Sequence, residues 1–167
     1  MKYYLIRQDK RIKNAVIPQI NNLKGIWKSD APFFQSVKVR NLNGYPYFLP
    51  LLEASVYIVS DKMKKVFEIY QNKMLYRPCA LGLLETKSIK VYWLMQPRII
   101  DCLEERIKDN ILYSDQDIVL CRAKIGYNKL FQIDTKVGNY LVIDEEVLES
   151  LLRAGITAFE WNELQAV

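Results

Sequence analysis

Two stretches of this chain place a short run of β-formers directly before apolar residues at helical spacing. In the first, Val56 to Val59 form a brief apolar run, Ser60 can cap a helix, and Met63, Val66, Phe67 and Tyr70 then recur three and four apart. In the second, YLVI leads to Asp144, after which Val147, Leu148, Leu151 and Leu152 mark one apolar stripe. Gly155 lies just past that helix, where a left-handed cap favours glycine, and Ile156 can fold back onto the helix end. Both copies run Tyr-x-Val, a capping residue, an amphipathic helix and a further strand. They predict a repeated strand-helix-strand element.

Alternation of apolar and polar residues predicts the remaining elements. KYYLIR opens the chain as a strand. YRPCALGLLE and SIKVYWLMQP flank Thr86 and Lys87 as a hairpin or two adjacent strands. SVKVR, DIVLCRAKI, KLFQID and YLVI read as strands, with turns at SDQD, GYN and KVGN. RIIDCLEERIKDN is ambiguous: Ile99, Leu103 and Ile107 suit a helix, while Ile99 and Ile100 could extend the preceding strand. Residues 8–50 carry Gly, Pro and Asn among aromatics and predict ordered irregular chain with short strands. Strands outnumber helices, so the expected class is α+β, with a mainly antiparallel sheet and two or three packed helices. At 167 residues the expectation is a single domain over 1–167, less regular and basic over 1–50 and richer in strand-helix-strand elements over 51–167.

Charge sharpens this picture because it is unevenly placed. The net is +5, but residues 1–50 hold nine basic residues against Asp9 and Asp30, a net of +7, while residues 139–167 hold six acids against Arg153. A basic front and an acidic end suit selective contact with a charged partner. The early apolar run is too short for a signal peptide and no later run matches a membrane span, which predicts a cytoplasmic protein without membrane contact. Cys79, Cys102 and Cys121 lie far apart, without a CxxC, and read as reduced thiols buried as small hydrophobes.

Histidine is absent, which removes the commonest general base and the Ser-His and Cys-His nucleophile pairs. No Gly-rich cofactor loop, Walker loop, GxSxG or HExxH is present. The expectation is therefore no catalytic residues, no cofactor and no metal. Asp115 and Asp117 in SDQD lack the further oxygen ligands and Gly of a calcium loop, and read as a turn. A histidine-free enzyme would need two acids converging in a pocket with raised pKa values.

Candidate contact residues remain. Asp144 can accept bonds from the first backbone N–H groups of its helix, and Glu145 and Glu146 suit its positive end. Glu145, Glu149 and Arg153 fall four apart on the opposite side, and Glu149 with Arg153 forms a pair of roughly 0.2–0.5 kcal/mol. A solvated helix face explains these acids; an acidic contact surface at Glu145 and Glu149 is the functional alternative. Trp27, Phe33, Phe34, Tyr45, Tyr47 and Phe48 crowd the irregular third, as core lids or as interface anchors, with Trp27, Phe33, Tyr45 and Tyr47 as the partner-binding candidates. Lys2, Arg7, Lys10, Arg11 and Lys13, beside Tyr3 and Tyr4, could face an acidic protein or, as the weaker alternative, nucleic acid.

VYIVSDKMKKVFE, YRPCALGL, KVYWLMQPRIIDCLE and YLVIDEEVLESLLRAGITAFEW together resemble the Imm-eleven type of bacterial immunity proteins from polymorphic-toxin systems. The resemblance covers roughly residues 54–164, with Ala158 where the family pattern has a second Gly. It implies a cytoplasmic protein that binds and neutralises a cognate toxin without catalysis. A small nucleic-acid-binding or phage-type accessory protein using the basic front is the alternative.

Overall fold

The computed structural model describes residues 1–20, 25–28, 31–39, 44–104, 117–136 and 138–167. In chain order the elements are β1 (Tyr3–Gln8), β2 (Val16–Pro18), β3 (Phe33–Val39), β4 (Leu51–Glu53), β5 (Tyr57–Ser60), α1 (Asp61–Tyr70), β6 (Leu75–Leu83), β7 (Ser88–Gln96), β8 (Val119–Leu120), α2 (Arg122–Ile125), β9 (Leu130–Thr135), β10 (Gly138–Asp144), α3 (Glu145–Arg153) and β11 (Phe159–Ala166). The strands form two sheets, ordered β8-β11-β1-β10-β9 and β2-β3-β6-β7-β5-β4. The class is α+β. The described strand pairings are mainly antiparallel, as expected, but they fall in two sheets and both are mixed, since β8 runs parallel to β11 and β3 parallel to β6.

The sequence repeat has a shared topology. β5, α1 and β6 form one strand-helix-strand unit, and β7 lies between its two strands, antiparallel to both. β10, α3 and β11 form the other, and β1 occupies the same middle place, again antiparallel to both neighbours. Both are split βαβ units, each in its own sheet. Ser60 Oγ accepts from the Met63 N–H at 3.2 Å and Asp144 Oδ1 from the Val147 N–H at 2.9 Å, so each helix starts on a side-chain cap. α3 ends with Gly155 at φ +72, the Ile156 N–H on the Leu151 carbonyl at 3.0 Å and the Gly155 N–H on the Leu152 carbonyl at 2.9 Å. That bond pair closes the helix as the Gly155–Ile156 pattern predicts.

Met63, Val66 and Phe67 of α1 meet Val147, Leu148 and Leu151 of α3 in a core that also takes Ile6, Leu141 and Phe159 from one sheet and Leu51, Val59 and Met95 from the other. Two further apolar clusters lie outside this shared layer. Val16, Leu49, Leu81, Tyr92 and Leu94 form one on the second sheet, and Leu5, Leu120, Ile125, Phe131 and Val142 form the other on the first.

Several local expectations change. The β6–β7 hairpin turns through four residues, 84–87, because Leu83 still pairs with Ser88. The strand expected over DIVLCRAKI stops at Leu120, and Arg122–Ile125 makes a helical turn that buries Ile125. Residues 98–104 are not helical: Ile99 bridges Gln132 and Leu103 bridges Leu120, because Pro97 interrupts the chain and burial is gained by lying along sheet edges. Ile107 and Asp115 lie outside the described residues; Asp117 is exposed. Cys79 and Cys102 are buried, but Cys121 is only half-buried.

Among the described residues, each of the four edge strands is met by other chain. The Val16 N–H bonds the Tyr47 carbonyl at 2.9 Å beside β2, and the Gln132 N–H bonds the Arg98 carbonyl at 2.8 Å beside β9. Leu103 bridges β8, and the Glu53 N–H of β4 donates to Gln8 Oε1 at 3.0 Å. Edges met in this way are less open to strand addition. Among the described residues no helix is long and apolar enough to cross a membrane.

Candidate partner-binding surface

The acidic stretch 144–149 is largely architectural. Asp144 is fully buried as the α3 cap, and burial pushes its carboxyl above 3.8 against the opposing bond from the Val147 N–H. Glu146 meets Lys129 Nζ at 2.5 Å, and Glu149 meets Arg153 Nη2 at 2.7 Å. Glu145 is half-buried and Glu149 exposed. The predicted stripe holds for Val147, Leu148 and Leu151, whereas Leu152 is 36% exposed. Its position four residues after Leu148 places it beside the stripe, but α1 and the sheets close over the other three first.

The aromatics of the N-terminal third divide. Trp27, Phe33 and Phe48 pack half-buried against the outer cluster of the second sheet. The Phe48 ring lies 6.4 Å from that of Tyr92, and Arg77 Nη2 donates to the Trp27 carbonyl at 3.0 Å. Tyr45 and Tyr47 project outward, Tyr45 being 92% exposed. Tyr47 nonetheless holds the edge of β2 through its backbone. The basic front is partly neutralised within the chain: Lys2 meets Glu163 at 2.9 Å, and Arg11 meets Asp9 at 2.7 Å and Glu160 at 3.8 Å. The Arg11 bond holds the Asp9 carboxyl below 3.8.

A surface absent from the sequence reading emerges on the second sheet. Register aligns Phe34 with Ala80 and Val91 in one row, and Ser36 with Gly82 and Ile89 in the next. α1 covers this face near Tyr57, Val59 and Met95 but leaves its far end open. There Phe34 is 61% exposed, Ile89 66% and Val91 59%. Phe34 lies across Gly82, where an added Cβ would approach its Cζ to 2.9 Å. Glycine therefore forms the platform on which the ring rests. Lys38 continues the exposed row of β3, and Lys87 in the hairpin turn is exposed with φ +49. The SIKVYWL alternation contained a signal, with Ile89, Val91 and Trp93 on one side and Tyr92 and Leu94 on the other. Both sides are apolar, so spacing alone could not say which is covered.

A cleft of about 640 Å³ opens between the sheets, lined among others by Arg7, Lys10, Trp27, Glu53, Tyr57 and Tyr140. Burial raises the Glu53 carboxyl above its ordinary value, against the pull of Arg7 and Lys10. The Tyr57 hydroxyl donates to the Asn139 carbonyl at 3.2 Å. Among the described lining residues Glu53 is the single carboxylate. No cluster of three metal-capable side chains occurs among the described residues.

No family model matches this chain, and neither does any curated protein. What can be said of its role therefore rests on its own sequence pattern and geometry. The exposed Phe34, Ile89 and Val91 stand in adjoining rows of one sheet face and are not scattered singly.

Proposed function

We propose that the chain is a non-catalytic, cytoplasmic immunity-type protein that binds and neutralises a cognate bacterial toxin. The open face of Phe34, Ile89 and Val91 carries this reading, because it offers apolar area and an aromatic anchor on rigid strands. Lys38 and Lys87 at its margin favour an acidic surface on the toxin. The Imm-eleven-like pattern over residues 54–164 supports the same role. Tyr45, Tyr47, Glu145 and Glu149 are secondary contact candidates, and no residue is assigned to catalysis.

The test is co-expression with the product of the adjoining gene. Growth should be rescued, and the two proteins should co-elute from a sizing column. Cell death together with separate elution would remove the reading. Val91→Asp, which places a charge in the middle of the face, should weaken the complex at least tenfold while leaving the melting temperature nearly unchanged. Nucleic-acid binding by the basic front has less support, since Lys2 and Arg11 already meet acids of the same chain. A gel shift that weakens steeply with salt would favour it.

A further inference from the structure

Eighteen residues separate Cys102 from Cys121 in sequence, yet the fold sets them opposite one another. Leu103 bridges Leu120 in antiparallel register, the Glu104 N–H bonds the Val119 carbonyl at 3.0 Å, and the Cys121 N–H bonds the Cys102 carbonyl at 2.7 Å. Those bonds flank the Leu103–Leu120 bridge on either side, which makes Cys102 and Cys121 a directly facing pair. Facing residues of an antiparallel pair have Cα atoms about 4.5–5.5 Å apart; here the Cys121 N–H holds the pair, while the Cys102 N–H turns to the Ile100 carbonyl at 3.0 Å. That lies inside the span of about 4.4–6.8 Å that a disulfide bridges. Both thiols are free.

The two environments differ in a useful way. Cys102 is fully buried in the outer cluster of the first sheet, and burial pushes its thiol up to about 11, with Asp101 and then Cys121 adding to the rise and Lys124 opposing it. Cys121 is half-exposed, and the Arg122 guanidinium beside it turns to the Ala166 and Met1 carbonyls. Partial exposure lets an oxidant reach a thiol. Cys79 lacks it: it is buried in the second sheet, and burial pushes its thiol up to about 12.

We propose that Cys102 and Cys121 are an oxidisable pair that closes into a disulfide, with a peroxide as oxidant. In the first step Cys121 Sγ, as thiolate, attacks one oxygen of hydrogen peroxide. The O–O bond breaks, an S–O bond forms, and the departing hydroxide takes up a proton to become water. In the second step Cys102 Sγ attacks the Cys121 sulfur. The S–O bond breaks, the S–S bond forms, and the leaving hydroxide takes the Cys102 proton as a second water. The peroxide gains the two electrons that the two thiols lose. Residues 98–104, which lie along β9 and β8, are thereby fastened to the strand they border. This site is independent of the toxin-binding reading.

The test exposes the folded, full-length chain to hydrogen peroxide, followed by digestion without reductant and mass spectrometry. The expected product is a Cys102–Cys121 cross-link, lighter by two hydrogens and reversed by dithiothreitol. The oxidised protein should melt higher by roughly 5–10 °C, because the bond closes a long loop. Cys121→Ser should abolish the cross-link and Cys79→Ser should retain it. Cys102→Ser alters a buried position, so the half-exposed Cys121 variant and the wild-type peptide map decide the matter. Accumulation of sulfinic acid at Cys121 with no cross-link would overturn the proposal. So would a cross-link that forms only after denaturation.

Discussion

The Tyr70 hydroxyl, at the end of α1, lies 2.6 Å from Ser150 Oγ in α3 and also donates to the Glu146 carbonyl at 3.3 Å. One side chain thus ties together the helices of the two split βαβ units. Tyr70→Phe keeps the ring and removes both bonds. The expected loss is about 0.5–1.5 kcal/mol, read as a lower urea midpoint with unchanged slope. In combination with Ser150→Ala the loss should be less than additive, since both changes delete the same bond.

Asp144 combines a helix cap with a buried charge. One of its oxygens caps Val147, while the other is buried without a hydrogen-bond partner. Its carboxyl titrates above 3.8 in the fold, so between the unfolded and folded values the native state binds more protons. Its contribution therefore grows more favourable as pH falls through the raised folded value. Asp144→Asn keeps a capping oxygen and removes the charge, and should raise stability at neutral pH. Asp144→Ala should lose about 1 kcal/mol through the missing cap. Denaturant midpoints from acid to neutral pH check both.

Asp9 has the opposite sign. Arg11 holds its carboxyl below 3.8, so its stabilising contribution is present above the unfolded value and is lost as pH falls through the folded one. Arg11→Ala leaves the buried Asp9 carboxylate without its bidentate partner. The neutral-pH melting temperature should drop, and the difference from wild type should shrink in acid.

Lys87 adopts φ +49, a region that disfavours side chains with a Cβ. Lys87→Gly should relieve this strain, and the relief is partly cancelled by the greater entropy of glycine in the unfolded chain. The net gain should be roughly 0.5–1 kcal/mol, seen as a higher melting temperature. If Lys87 also meets an acidic toxin, the same variant should bind it more weakly.

Gly82→Ala tests the platform beneath Phe34. The new methyl would stand 2.9 Å from Phe34 Cζ, but that ring is exposed and can swing away. Stability should change by under about 1 kcal/mol. Binding of the proposed toxin should fall, because the new methyl displaces the Phe34 ring from its place over Gly82.

The strand-helix-strand punctuation of this chain was legible at the level of single residues. Ser60, Asp144 and Gly155 act locally: capping and left-handed turns depend on a residue and its neighbours within one helical turn. The hairpin over residues 75–96 was legible for the same reason, although its turn length was set by cross-strand pairing that continues to Leu83 and Ser88. Cys121 was misread as buried and the segment 98–104 stayed ambiguous, because their conformations depend on contacts with distant strands. No local pattern announces that Ile99 will border Gln132 or that Leu103 will border Leu120.

By itself, the sequence determined α1 and α3, their caps, most strands and the polarity of charge between the two ends, since each follows from spacing or composition. Only the tertiary structure decided that the two echoed units lie in separate sheets joined through α1 and α3. It also decided which apolar side of β7 is covered, that Trp27 and Phe33 turn inward while Tyr45 and Tyr47 do not, and that Cys102 faces Cys121. All of these are choices of partner across long stretches of chain. Alternation in a strand such as SIKVYWL supplies two usable faces, and it is the packing of a helix onto part of one of them that leaves the rest open.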